Sequence, residues 1–365
     1  MKKFLIILFL ILAPLGWARA DNSDGLPEKV FPARVTNILD SKIVTTPDGT
    51  TVPAQVLELK GLEGAYKDKI ITWDSSQQEG DSKNVYQVGD KVSVEASFDD
   101  KGNVKYFIQD YVRTDSIEWL FIVFILTLLV VGRTKGLRAA VSLVASFFVI
   151  MKYILPQIMD GSDPIIVTLI GSFLILLTVI YVTEGFNKRS HVAVASIFVS
   201  LVLTLVLSWY FVDLAKLSGL SSEEAGFLTS FGGGIIDFKG LLLAGIIIGA
   251  LGVLDDVVIS QIAAVEEIYA ADKSQTRRQI YKKAYSVGLS HISSMTNTLF
   301  LAYAGASLPL LILFLSGQSA FSSSWQAVNN ESLATEIVRT LAGSVGLVLA
   351  VPISTLLAVW VEVKN

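Results

Sequence analysis

From about residue 117 onward the chain is a succession of long apolar runs separated by short polar connections, whereas residues 21–115 alternate apolar and polar positions over short distances. Runs long enough for a hydrocarbon core of about 30 Å lie at 117–132, 137–158, 164–183, 191–212, 239–265, 287–315 and 337–361, which predicts seven transmembrane helices. The earlier alternation has period two and is punctuated at Pro47-Asp48-Gly49, Gly61 to Gly64, Gly89-Asp90 and Asp99 to Gly102, a pattern of short strands and turns. Its firmest part is a hairpin in which Val92, Val94 and Ala96 alternate with Ser93, Glu95 and Ser97 before the Asp100 turn. About five strands in fewer than a hundred residues suggest a small closed or nearly closed barrel, OB-like in form. The expected fold is therefore an α-helical membrane bundle of about seven helices, residues 116–365, preceded by a small exported all-β domain, residues 21–115.

The first twenty residues set the address. Lys2 and Lys3, an apolar stretch from Phe4 to Leu15, and small residues at Ala18 and Ala20 read as a secretory signal, with an uncleaved anchor as the alternative. Either reading exports the β domain. The connections after the first, third and fifth spans carry Arg133, Lys135 and Arg138, then Lys188 and Arg189, then Lys273, Arg277, Arg278, Lys282 and Lys283. The others are acidic, with Asp160 and Asp163, then Asp213, Glu223, Glu224 and Asp237, then Glu331 and Glu336. The positive-inside rule then places residues 21–115 outside a bacterial cytoplasmic membrane and the C-terminus in the cytoplasm.

Composition agrees, with 52% hydrophobic and 17% charged residues. No cysteine is present, which excludes disulfides, thiol chemistry and Cys-based metal centres. No phosphate-binding loop of the G-x-x-x-x-G-K-[ST] type occurs, so the chain is not expected to hydrolyse ATP. The basic connection at 277–283 is explained by its place at a membrane boundary, and nucleic acid is not an expected partner. The bilayer is, together with a small solute or ion and either a second copy of the chain or an envelope protein. No cofactor is implied, the metal question stays open, and separated paired-Asp motifs on two helices, H-E-x-x-H and a convincing Ser-His arrangement for an intramembrane enzyme are missing.

The exception to apolarity is the pair Asp255 and Asp256 within the run GLLLAGIIIGALGVLDDVVISQIAAV, residues 240–265. Each Asp near a helix centre costs on the order of 2.5 to 3.5 kcal/mol on insertion scales, so such residues ordinarily face a protein interior or an aqueous path. Gly245, Gly249, Gly252, Asp256 and Ser260 recur at three and four residues on one face, which predicts close approach of a neighbouring helix there. In the next span Ser290, Ser294 and Asn297 share a face, and Thr296, Thr298 and Gln261 lie at similar depth. The expected site is thus an ion- or substrate-binding cluster of Asp255, Asp256, Ser260, Gln261, Thr296, Asn297 and Thr298. Gly245, Gly249, Gly252, Gly305 and Pro309 are assigned to helix packing or, at Pro309, to a kink. His191 and His291 sit at helix ends as interfacial residues.

The strings GALGVLDDVVISQ at 249–261 and NTLFLAYAGASLPLL at 297–311 resemble the YibE/F-like family of bacterial multispanning membrane proteins. YKDKIITW at 66–73, VGDKV at 88–92, DYVRTD at 110–115 and GRTKGLRA at 132–139 extend the resemblance over nearly the whole chain. It implies an exported β domain followed by a helical bundle and brings no established activity. In that family's pattern an Arg-Asp pair follows the glycine opening the sixth span. Here Gly288 is followed by Leu289 and Ser290, so a mechanism resting on that charged pair does not carry over. The functional expectation is a secondary permease or efflux-type transporter coupled to protons or cations through the Asp pair. The alternative is a non-transporting envelope scaffold whose β domain binds a partner.

Overall fold

The computed structural model describes residues 30–45, 51–75, 84–98, 104–231, 235–316 and 323–363, and the chain divides into two compact units, residues 1–131 and 132–365. The signal segment and the turn around Asp100 lie outside the described residues.

In the first unit β1 (Val30–Thr45), β2 (Thr51–Gly61), β3 (Ile70–Asp74), β4 (Lys91–Phe98) and β5 (Val104–Tyr111) form one antiparallel sheet in the order β3-β2-β1-β4-β5. The expected hairpin is β4–β5, with Ala96 opposite Tyr106 and Phe98 opposite Val104. Period-two burial is cleanest in β4, where Val92, Val94 and Ala96 pack with Phe31, Leu57 and Trp73 in one core. β3 and β5, at the two ends of the strand order, also lie in contact. One buried side chain ties the segment before β4 to β2. The Gln55 amide donates to the Tyr86 carbonyl at 3.0 Å and accepts from the Tyr86 N–H at 2.8 Å, so a backbone stretch outside the ladder keeps both polar groups satisfied. Gly61 is demanded by packing, because a Cβ there would lie 2.0 Å from the Tyr66 carbonyl oxygen in the 3-10 turn Gly64–Tyr66.

Helix α1 (Thr114–Val149) runs through a π-helical turn at Ile150–Ile154 into α2 (Leu155–Met159). It is interrupted at Arg133, whose φ of 49° is outside helical geometry. The remaining helices are α3 (Pro164–Thr183), α4 (Lys188–Leu214), α5 (Glu223–Phe231), α6 (Phe238–Ala271), α7 (Arg277–Ala306), α8 (Leu308–Leu315), α9 (Ser324–Val328) and α10 (Glu331–Glu362). Their starts are written in the sequence. Asp163 accepts from the Ile165 and Ile166 N–H groups with Pro164 in the first turn, Asn187 caps α4, Asn330 caps α10, and Thr276 with Gln279 forms a capping box on α7.

Among the described residues five helices are long and apolar enough to cross a membrane, where seven spans were expected. Two local features account for the difference. The first two expected spans are continuous in α1 and α2 apart from the break at Arg133. The sixth is divided at Ser307, beyond which Pro309 lies in the first turn of α8, where its missing N–H costs no helical bond.

In the second unit α4, α6 and α10 pack on one another, α3 lies against α4 and α6, and α7 lies against α6 and α10. The α4–α10 contact is built from small residues. Ser196, Ser200, Thr204 and Ser208 recur every fourth residue on α4 and are fully buried. The last three each donate to the carbonyl four residues earlier in their own helix. Facing Thr204 is Gly346 of α10, on which a Cβ would lie 1.9 Å from the threonine hydroxyl. Backbones approach this closely only where one helix has no side chain.

Charge sorts to the two ends of the bundle. At one end Arg138 donates to the Thr183 carbonyl, Arg189 pairs with Glu266 at 3.5 Å, and Arg277 donates to the Val363 carbonyl. At the other, Asp213 pairs with Lys239 at 2.8 Å and Glu331 accepts from the backbone of Ser218 and Gly219.

Candidate functional site

The paired carboxylates sit in the middle of α6, and the structure separates them by environment. Asp255 is half-buried, and its Oδ1 accepts the Asp256 N–H at 2.9 Å; Asp256 is exposed. No cation pairs with either carboxylate among the described residues. The expected close approach along their small-residue face is found only at Gly249, where a Cβ would lie 2.8 Å from the Tyr303 hydroxyl of α7. Gly245, Gly252 and Gly305 have nothing within 4 Å of an added Cβ, so within one chain they do not serve packing. The reason is rotational: α7 meets α6 along Val253 and Val257, beside the face that carries Gly252 and Asp256.

Gln261 bridges neighbouring helices. It is 1% exposed, and its Nε2 donates to the Ala284 carbonyl of α7 at 2.7 Å and to the Thr355 hydroxyl of α10 at 2.8 Å. It knits three helices together, and Gly288 admits it, since a Cβ there would lie 2.7 Å from Gln261 Oε1 and 2.4 Å from Val351. This is a packing reason for the glycine that opens the sixth apolar run. Ser260 is half-buried, with no hydrogen bond to the acids. Thr298 donates to the Ser294 carbonyl of its own helix and is exposed. Among the described residues no hydrogen bond joins Asp255 or Asp256 to Asn297, Thr296, Thr298 or Gln261.

Asn297 and Thr296 belong to a second feature, an open cavity of about 790 Å³ on α7. Its polar lining is Ser290, Ser293, Ser294, Thr296 and Asn297, with Val348 of α10 as a wall. The Thr296 hydroxyl is buried and has no partner. Ser290, Ser293 and Ser294 were not among the expected site residues, although the spacing of Ser290, Ser294 and Asn297 was the signal that could have found the first and last of them. A further charged group, at the start of the last apolar run, is the Arg339–Glu336 ion pair at 2.9 Å on α10, both side chains less than one-third exposed. His191 accepts or donates a 2.7 Å bond with the Tyr181 hydroxyl at the basic end of the bundle. The described residues hold no group of three or more His, Cys, Asp or Glu fit for a metal ion.

Comparison with known families matches residues 120–364 to the one described as YibE/F-like protein, about two-thirds of the chain. No curated protein and no solved structure is matched.

Proposed function

The chain belongs to the YibE/F-like family, and from that premise we propose that it is a secondary permease or efflux-type transporter of a small polar solute or ion. The observation that supports this reading is the open groove on α7, where Ser290, Ser293, Ser294, Thr296 and Asn297 lie among Ile292, Phe300 and Val348 in a bundle otherwise composed to meet lipid. Polar groups at membrane depth ordinarily line a path or bind a passenger. Asp255 and Asp256, one helix away and without a cationic partner, supply a protonatable or cation-binding element for coupling to an ion gradient. In this reading α1 and α2 cross the membrane twice. Together they span 46 residues, or about 69 Å at 1.5 Å per residue, more than twice a hydrocarbon core of about 30 Å. Arg133 is then the turn. The basic end of the bundle faces the cytoplasm, and the β domain, whose strand order and packed end strands we read as an OB-like barrel, lies outside.

The test uses the purified full chain in liposomes holding a trapped pH-sensitive dye, with sodium or potassium gradients imposed. We expect proton movement coupled to one gradient, abolished in the Asp255→Asn/Asp256→Asn double variant and reduced by Asn297→Leu. Undiminished flux in the double variant would remove the acids from the mechanism. No flux in any gradient would favour the scaffold reading.

A further inference from the structure

The longest strand of the β domain is only partly covered. β1 pairs with β4 over Val30–Arg34 and with β2 over Ala33–Thr45. From Thr36 to Thr45 its edge opposite β2 therefore has no strand beside it among the described residues. β3 pairs with β2 only over Val56–Lys60, so the far halves of β1 and β2 leave the sheet as a two-stranded ribbon. Such a ribbon is marginal in water, and an open edge offers its N–H and C=O groups to another strand. The edge of β2 carries Pro53, a residue confined in sheets to places with no ladder bond to donate, whereas β1 has no proline from Arg34 to Thr45. Its side chains are also unusually apolar for so bare a strand, with Ile43 79% and Leu39 52% exposed.

The sequence of that edge indicates what covers it. Centred on Ser41, it reads Ile38, Leu39, Asp40, Ser41, Lys42, Ile43, Val44, which is self-complementary about its midpoint. Laid antiparallel on a copy of itself with Ser41 opposite Ser41, each Asp40 meets a Lys42, each Leu39 meets an Ile43, and each Ile38 meets a Val44. Opposite charges and apolar pairs directly across an antiparallel ladder stabilise it, and like charges there oppose it. The neighbouring two-fold registers, centred on Asp40 or on Lys42, set acid against acid or base against base. The charges thus select one register as well as one partner. Within a single chain Asp40 and Lys42 already lie 3.4 Å apart on the same face, both largely exposed, so a two-fold pairing makes a four-charge array of alternating sign. With Leu39 left unpaired at the slip in the β1–β2 ladder between Ile38 and Asp40, the part of the contact that is regular on both strands is Asp40 through Lys42. A contact this short is weak between free molecules and becomes effective between chains held in one membrane, where confinement raises their local concentration.

We propose that a second copy of this chain pairs with the open edge of β1, antiparallel and centred on Ser41, so that two β domains join through a continuous sheet. The contact is isologous, the form closed two-fold dimers take.

The chain has no native cysteine, so Ser41→Cys in the full-length protein in its membrane is a clean probe. Mild oxidation should convert it to a covalent dimer, while Lys105→Cys, on an exposed strand elsewhere in the sheet, stays monomeric. In the Ser41→Cys background, Asp40→Lys or Lys42→Asp alone should cut the dimer yield about five-fold, because like charges then face each other twice. The combined Asp40→Lys/Lys42→Asp exchange should restore it. Equal crosslinking at positions 41 and 105, no restoration by the exchange, or crosslinking of position 41 to a different polypeptide would each overturn the proposal.

Discussion

Replacing Gly346 by alanine tests the α4–α10 contact at its tightest described point. The new Cβ would lie 1.9 Å from the Thr204 hydroxyl oxygen, 3.0 Å from its Cβ and 3.2 Å from its methyl carbon. Rotating the threonine gives little relief, since its Cβ stays at 3.0 Å and the hydroxyl would give up its bond to the Ser200 carbonyl. The helices must part. Overpacking of this kind costs about 1 to 3 kcal/mol, set against about 1 kcal/mol gained from the better helix propensity of alanine. Gly346→Ala should therefore destabilise the protein by up to about 2 kcal/mol, roughly a thirty-fold change in the folded ratio. Thr204→Ala removes the nearest atom, so the double variant should lose less than the two single losses combined, by about 1 kcal/mol or more. Gly252→Ala, with nothing within 4 Å of its Cβ, is the control and should be neutral or slightly stabilising. Unfolding in mild detergent with increasing dodecyl sulfate measures all four proteins on one scale. A Gly346→Ala protein as stable as the parent, with additive behaviour in the double variant, would refute the close approach of α4 and α10.

Gln261→Leu should destabilise the bundle by about 1 to 3 kcal/mol, the cost of leaving buried groups without a partner, and its effect should be non-additive with Thr355→Ala in the same unfolding assay. In the β domain Gln55→Leu strips the Tyr86 N–H and carbonyl of their partner and should likewise cost about 1 to 3 kcal/mol, read by thermal melting. The Arg113 guanidinium, bonded to both oxygens of Asp110 at 2.6 and 2.8 Å, holds that carboxyl below its usual range, helped by the Tyr111 N–H. Its folded pKa is depressed, so its contribution is present above the unfolded value and disappears as pH falls through the folded one. Asp110→Asn should accordingly flatten part of the acid limb of the stability profile and leave the shape at neutral pH unchanged. Reporter fusions at Asn187 and Gln275 should be active only in the cytoplasm and one at Asn329 only outside; the reverse result would invert the orientation.

Regular periodicities were the readable part of this sequence. The β4–β5 hairpin was legible because Val92, Val94 and Ala96 alternate against a solvated face, a pattern that fixes both element and register. Asp163, Asn187 and Asn330 cap α3, α4 and α10, a signal at each helix start that the apolar runs alone do not carry. What periodicity cannot supply is the identity of a neighbour. Gly245, Gly249 and Gly252 share a helical face with Asp256, yet only Gly249 meets a side chain, and the close helix contact lies elsewhere, at Gly346 and Thr204. Gln261 stood out in the sequence as a polar residue in an apolar run, but the groups it donates to lie 23 and 94 positions away. The groove on α7 was half visible, because Ser290, Ser294 and Asn297 share a helical face in the sequence, whereas Ser293 lies off that spacing.

The hydroxyl ladder of α4 also bears on how the chain is made. Thr204 and Gly346 are separated by more than a hundred residues, so at synthesis rates of about 5 to 20 residues per second α4 waits roughly 7 to 28 s before α10 has been made. A row of unbonded hydroxyls would be a liability during that interval in lipid. Because Ser200, Thr204 and Ser208 spend their protons on carbonyls of their own helix, the segment can enter the bilayer before its partner exists and stay there undisturbed. A nascent chain cut short before residue 331 would keep that helix inserted and lack the α10 surface that meets it.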